Sequence, residues 1–127
     1  MTIAGIQLKS PAEWVDYQCM DQPADQAWPQ HLINEQLAQF EGWSAEYEAD
    51  GNNPTLFKTY TLGDFDLVKK ALAAVVDIAD KQDHHPTVEF SFGYLMVKWN
   101  THSTNGISSN DWACAARCDQ AIGQKAG

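Results

Sequence analysis

The sequence predicts an α+β domain, a four-stranded antiparallel sheet with helices packed on one face in the order α-β-β-α-β-β-α. Three observations predict it. Two segments, "WSAEYEADGNNPTLFKTYTL" and "TVEFSFGYLMVKWNT", read as β-hairpins. Three others, after Pro29, after Gly63 and after Ser108, repeat apolar residues at helical spacing. The chain has 127 residues, enough for one compact core and too few for two. Helices alternating with hairpins place the helices together on one face of the sheet.

Residues 1–29 show no sustained period and contain Pro11, Pro23 and Pro29 with Trp14, Tyr17 and Trp28. They are expected to form an irregular arm whose aromatics pack partly on the body. The domain proper then runs over 30–127. In "PQHLINEQLAQFEGW", Ile33, Leu37 and Phe40 fall on one helical face, and Gly42 is a natural stop. Trp43, Ala45, Tyr47 and Ala49 alternate with polar neighbours, "DGNN" supplies turn residues, and "TLFKTYTL" is rich in β-formers. "GDFDLVKKALAAVVDIADKQ" carries a stripe of Phe65, Val68, Leu72, Val75, Val76 and Ala79, widened by Leu67, Ala71, Ala74 and Ile78, which predicts a long and heavily buried helix. Ser108 and Asp111 form a variant capping box for a last helix reaching about Ile122.

Within the second hairpin, a two-residue turn at Gly93 and Tyr94 pairs residues whose numbers sum to 187. Phe92, Phe90 and Val88 then face Leu95, Val97 and Trp99 on an apolar side, while Glu89 faces Lys98 and Thr87 faces Asn100 on the other. Carried one pair further, this register sets His85 opposite His102. His84 precedes His85, and Pro86 holds His85 extended.

Composition limits what this histidine cluster can serve. Net charge is −9, and the eight Lys and Arg residues are scattered, so no basic track is offered to a phosphate backbone. The N-terminus "MTIAGIQLKS" lacks a basic region leading into an apolar run, and a cytoplasmic location is expected. Cys19, Cys114 and Cys118 are odd in number and contain no CxxC, which implies no disulfide framework. Cys114 and Cys118 are expected to be small packing residues on one face of the last helix.

Three imidazoles near Asp80, Asp83 and Thr101 admit three readings. The grouping can be accidental. It can bind zinc, although no HxxxH or HExxH spacing is present. Or it can perform metal-free acid and base chemistry, since an imidazole both gives and takes a proton near neutrality.

The stretch "DHHPTVEFSFGYLMVKWNTHSTNGISSND" closely resembles the signature of the pterin-4a-carbinolamine dehydratases, through the HHP triplet, the hairpin length, the TH pair, Gly106, Ser108 and Asp111. The resemblance extends more weakly over about residues 30–122. It implies a lyase that removes water from 4a-hydroxytetrahydropterin to give quinonoid dihydropterin, recycling the pterin of aromatic amino acid hydroxylases, with no cofactor and no metal. By the matching positions, His84 and His102 are the acid and base pair and His85 binds the pterin and shares in proton transfer. Asp80, Asp83, Asn100, Thr101 and Ser103 are the residues expected to bind substrate or orient the histidines. Asp80 stands where many members carry Glu, and Val88 where many carry Trp. Asp111 is expected to serve mainly as a cap. The resemblance further implies a homodimer joined through sheets or a homotetramer joined through helices. Some members act instead as dimerisation cofactors for a transcription factor, the alternative to an enzyme.

Overall fold

In the computed structural model, residues 6–123 are described; residues 1–5 and 124–127, the outer ends of the expected arm and of the expected domain, lie outside them. The elements are α1 (Pro11–Trp14), α2 (Gln30–Leu37), β1 (Ser44–Glu46), β2 (Thr55–Thr61), α3 (Phe65–Gln82), β3 (Thr87–Ser91), β4 (Tyr94–Trp99) and α4 (Ser109–Cys118). The four strands form one antiparallel sheet in the order β1-β2-β4-β3. The fold class is therefore the one the patterning predicts.

Each helix begins where the sequence supplies a start. Asp64 caps α3, its carboxylate accepting the Leu67 amide at 2.9 Å. Ser108 and Asp111 close the capping box of α4. Gly42, at φ +85°, turns the chain out of the α2 segment into β1, a conformation that disfavours residues with a Cβ.

The core lies between the helices and the sheet face carrying Leu56, Tyr60, Leu95, Val97 and Trp99, all buried. Residues 6–29 contribute directly to it. The Ser10 hydroxyl and Glu13 carboxylate cap α1, a single turn too short to register as a period. Trp14 and Trp28 are buried, and a chain of ring contacts runs from Trp14 to Trp28 at 5.9 Å, on to Trp112 at 5.5 Å and then to Phe40 at 5.1 Å.

Two expectations are corrected. The helix α3 is not heavily buried: Val68, Ala71, Val75 and Ala79 are covered and Leu67, Leu72, Ala74 and Ile78 are half-buried against the core, while Val76 is 57% exposed and Phe65 41%. One helix on one sheet face can bury one stripe and half-cover its flanks, and the apolar side chains furthest from it, Phe65 and Val76, remain outside. The register of the second hairpin also differs. Phe90 faces Leu95, Val88 faces Val97, Glu89 faces Met96 and Thr87 faces Lys98, so paired numbers sum to 185 and the turn is Phe92 and Gly93. Both registers keep every apolar residue on the same face, so alternation cannot separate them. The sheet decides instead: β4 is central, held by β2 through Tyr60 opposite Leu95 and Leu56 opposite Trp99, while the Leu62 amide donates to Gly93 O at 2.8 Å. In this register His85 does not face His102.

Candidate active site

The two histidines reach a common cleft by other means. At the end of α3, Asp83 takes the left-handed conformation, φ 49°, and the His84 amide donates to Ala79 O at 3.2 Å. This reversal folds His84 back over the core, where its ring stacks on Trp99 at 5.5 Å with 13° between planes. Beyond β4, Thr101 and Gly106 bridge to each other and enclose the short turn His102–Thr104. That turn carries His102 and Ser103 to the cleft.

The cleft has a volume of about 530 Å³ and is lined by Gln82, Asp83 and His84, by Thr101, His102 and Ser103, by Asn110, and by Cys19, Met20, Asp21 and Gln22 from the arm. His84 and His102 thus border one space. His85 is exposed and does not line it. Asp83, Thr101 and Ser103 are present as expected neighbours. Asp80 lies instead along the outer face of α3 with Leu72, Val76 and Asp77, and Asn100 is exposed and outside the lining.

The electrostatic centre is Asp111, whose side chain is fully buried. Its Oδ1 lies 2.6 Å from His84 Nε2, and its Oδ2 accepts from Thr101 Oγ1 at 2.7 Å and from the Ser108 amide at 2.8 Å. Because Thr101 spends its proton on Asp111, the 2.6 Å contact between the hydroxyls must be donated by Ser108. Burial alone would lower the His84 pKa, but the hydrogen bond and charge of Asp111 outweigh it and raise the pKa above the usual histidine value. Asp111 thus favours the protonated imidazole, whose ring plane lies against Trp99 and whose Nε2 bonds the carboxylate.

Sequence reasoning missed two parts of this site. It read Asp111 as mainly a cap, and the capping role is real, but the same carboxylate binds His84. The helix-start motif gave no sign of that second bond, because its partner is 27 residues away. It also gave the arm no place in the cleft. The arm is fastened by amide side chains: Met20 N donates to Asn110 Oδ1 at 3.1 Å, Asn110 Nδ2 donates to Met20 O at 2.8 Å, Gln22 Nε2 donates to Asn110 Oδ1 at 3.0 Å, and Ser103 Oγ donates to Gln22 O at 2.7 Å. These pairings depend on positions about 90 residues apart and follow no period. Among the described residues, no group of three or more His, Cys, Asp or Glu has metal-binding geometry, and no helix is long and apolar enough to cross a membrane.

Comparison with known proteins adds to this geometry. Residues 26–121 match the family described as Pterin 4 alpha carbinolamine dehydratase. A protein of Vibrio vulnificus is 36% identical over 88 residues, covering 69% of this chain and 78% of the relative. One of Bdellovibrio bacteriovorus is 31% identical over 107 residues, covering 81% and 84%. Both are named provisionally as pterin-4-alpha-carbinolamine dehydratases. A solved structure from Brucella melitensis, titled a transcriptional coactivator/pterin dehydratase, superposes with a TM-score of 0.67 at 25% identity over 76% of this chain and 98% of its own. A pterin dehydratase-like RuBisCO assembly factor of the alpha-carboxysome matches with a TM-score of 0.55 at 23% identity over 65% of this chain and 92% of its own, a likeness of fold alone.

Proposed function

The chain belongs to the pterin 4 alpha carbinolamine dehydratase family, and from that premise we propose that it dehydrates 4a-hydroxytetrahydropterin by histidine acid and base catalysis. The observation that carries the proposal is His84, hydrogen-bonded to the fully buried Asp111 at 2.6 Å, on a cleft that His102 also borders. The cleft volume falls in the range of small-molecule sites, about 300 to 1,000 Å³.

The chemistry assigns the roles. The C4a hydroxyl leaves as water only when protonated, and the proton on N5 must depart as the C4a–N5 double bond forms. His84, whose protonated form Asp111 favours and whose Nε2 is held by that carboxylate, donates from Nδ1 to the departing hydroxyl. His102, which borders the same cleft, accepts the N5 proton. One proton is given and one taken, so a single exchange with solvent resets the site, and each positioned group is worth roughly 10²- to 10⁴-fold. Asp83 and Ser103 border the cleft, where an acceptor and a hydroxyl can meet the amide and amino edge of a pterin. Thr101, its hydroxyl committed to Asp111, orients the carboxylate. His85, exposed, would meet only the part of the substrate that projects outward. The product would return to the reductive recycling that serves aromatic amino acid hydroxylases.

The test is a coupled hydroxylase assay in which the purified protein is expected to accelerate loss of the carbinolamine absorbance. Decay equal to that in buffer, with the protein folded, would overturn the proposal. Assembly belongs to the same reading: Phe65, Val76, Phe90 and Phe92 are more than 40% exposed, an apolar surface suited to contacts between copies as a homodimer or homotetramer. Light scattering at micromolar concentration is expected to show more than one chain per particle, and a monomer would refute this.

A further inference from the structure

Cys19 and Cys114 are 95 residues apart in sequence, yet their sulfurs lie 3.7 Å from each other. We propose that they form a peroxide-sensitive thiol pair at the wall of the cleft, in which Cys19 is oxidised first and Cys114 resolves it to an intramolecular disulfide.

The two sulfurs differ in the way this chemistry needs. Cys19 is part-exposed and lines the cleft, so a small oxidant can reach it. Cys114 is fully buried one layer beneath, on α4. The backbone around Cys19 is held from both sides, by the Cys19 amide donating to Gln82 Oε1 at 3.0 Å and by the Met20 amide donating to Asn110 Oδ1, so the thiol cannot drift from its partner. A disulfide requires the sulfurs to approach to about 2.05 Å, a modest closure from the observed separation. Cys118, one turn further along α4, is also fully buried, and its thiol is pushed up to about 12, chiefly by burial.

The surroundings select the nucleophile. Hydrogen bonding to the Cys114 thiol lowers the Cys19 pKa; burial and the Asp111 charge oppose this, while His84 and Arg117 assist it. The Cys114 pKa is raised, first by the same hydrogen bond and then by burial. Cys19 is therefore the more acidic of the two thiols; at rest its Sγ also lies 3.7 Å from Asn110 O, to which it can donate, and the fraction that loses its proton is the nucleophile. In the first step the Cys19 thiolate displaces hydroxide from hydrogen peroxide and becomes a sulfenic acid. In the second, Cys114 attacks that sulfur, a disulfide forms, and the sulfenic oxygen leaves as water with the Cys114 proton. Two thiols are oxidised by two electrons and one peroxide is reduced.

Oxidation also reaches His84. The Cys19 charge is among the influences that raise the His84 pKa, after burial, which lowers it, and the Asp111 bond and charge, which raise it. A disulfide carries no charge, so its formation removes one support of the imidazolium.

Full-length protein is treated with hydrogen peroxide, alkylated, and mapped by mass spectrometry, while His84 is titrated by NMR in both forms. A Cys19–Cys114 crosslink with Cys118 free is expected, together with a lower His84 pKa in the oxidised protein. Cys19→Ser should leave Cys114 reduced, and Cys114→Ser should stop at a dimedone-reactive sulfenic acid on Cys19. A crosslink involving Cys118, an intermolecular one, or Cys19 untouched at excess peroxide would overturn the pair. An unchanged His84 titration in the crosslinked form would overturn its coupling to the cleft. Slower dehydration by the oxidised form rests on the function proposed above and is measured separately, so inactivity of the reduced protein would sink that function while the crosslink and titration still judge the thiol pair.

Discussion

His84 Nε2 stands 2.6 Å from Asp111 Oδ1, joining the second residue beyond α3 to the first turn of α4. The same carboxylate caps α4 through the Ser108 amide and accepts from Thr101, which follows β4. One buried carboxylate therefore ties three segments together and favours the protonated form of His84. Removing it should disturb chemistry and fold by separable amounts.

Asp111→Asn keeps an acceptor for the Ser108 amide and removes the charge facing His84. The His84 pKa should fall, and if His84 is the acid, the alkaline limb of the kcat–pH profile should move to lower pH with it. NMR titration of His84 in the variant checks the first part without an assay. Loss of charge-assisted bonds should cost roughly 1 to 3 kcal/mol of stability. An unmoved titration would show that Asp111 does not govern His84.

The raised His84 pKa also fixes a sign for stability. A group that binds its proton more tightly when folded contributes fully below its unfolded value, near 6.5, and loses that contribution as pH rises through the folded value. The difference in Tm between the native protein and His84→Gln should therefore be larger at pH 6 than at pH 9. A difference that grows with pH would reverse the assignment.

His84→Ala and His102→Ala should each lower kcat by one or more powers of ten, and the double variant should be less impaired than the product of the two losses. His31, exposed on α2 and far along the chain from the motif, is the control, and His31→Ala should be near neutral. Equal damage from His31→Ala would refute the pairing.

The fold was legible where residues repeat locally: the α3 stripe, the Ser108 cap and the hairpin alternation each depend on neighbours within a turn or a pair. The hairpin register was not legible, because a shift that preserves both faces leaves alternation unchanged and only β2 decides it. In the site, the HHP and TH elements pointed to His84 and His102, whereas placing Asp80 and Asn100 there depended on carrying positions over without knowing which way α3 and β4 turn their side chains. Asp111 and the arm were missed for one physical reason. Their contacts join residues far apart in sequence, and polar pairs of that kind leave no periodic trace.

Asp119, beyond α4, gathers three donors: Lys58 Nζ at 2.8 Å, Tyr60 OH at 2.7 Å and Trp43 Nε1 at 2.9 Å. It lets Lys58 lie on the core face of β2 beside Tyr60. Asp119→Ala should destabilise the fold by about 2 kcal/mol, because the buried Trp43 and Tyr60 and the part-buried Lys58 lose one acceptor, and should leave the cleft's ligand affinity little changed. Chemical denaturation reads the first, and a loss below about 0.5 kcal/mol would show that water replaces the carboxylate.

Asn110 tests whether the arm is part of the cleft or merely rests beside it. Its amide makes three bonds to the arm, two accepted by Oδ1 from Met20 N and Gln22 Nε2, and one donated by Nδ2 to Met20 O. Each is worth about 1 kcal/mol net, so Asn110→Ala should free the segment from Cys19 to Gln22 locally while Trp14 and Trp28 remain anchored in the core. Hydrogen exchange at the Met20 amide should quicken much more than exchange in β4. If the arm walls the substrate site, KM should rise several-fold with a smaller change in kcat, since the histidines keep their own supports. Asn110→Asp, which keeps the acceptor but loses the donor, should fall between. Faster exchange at Met20 with KM unchanged would mean that the arm closes the core and takes no part in binding.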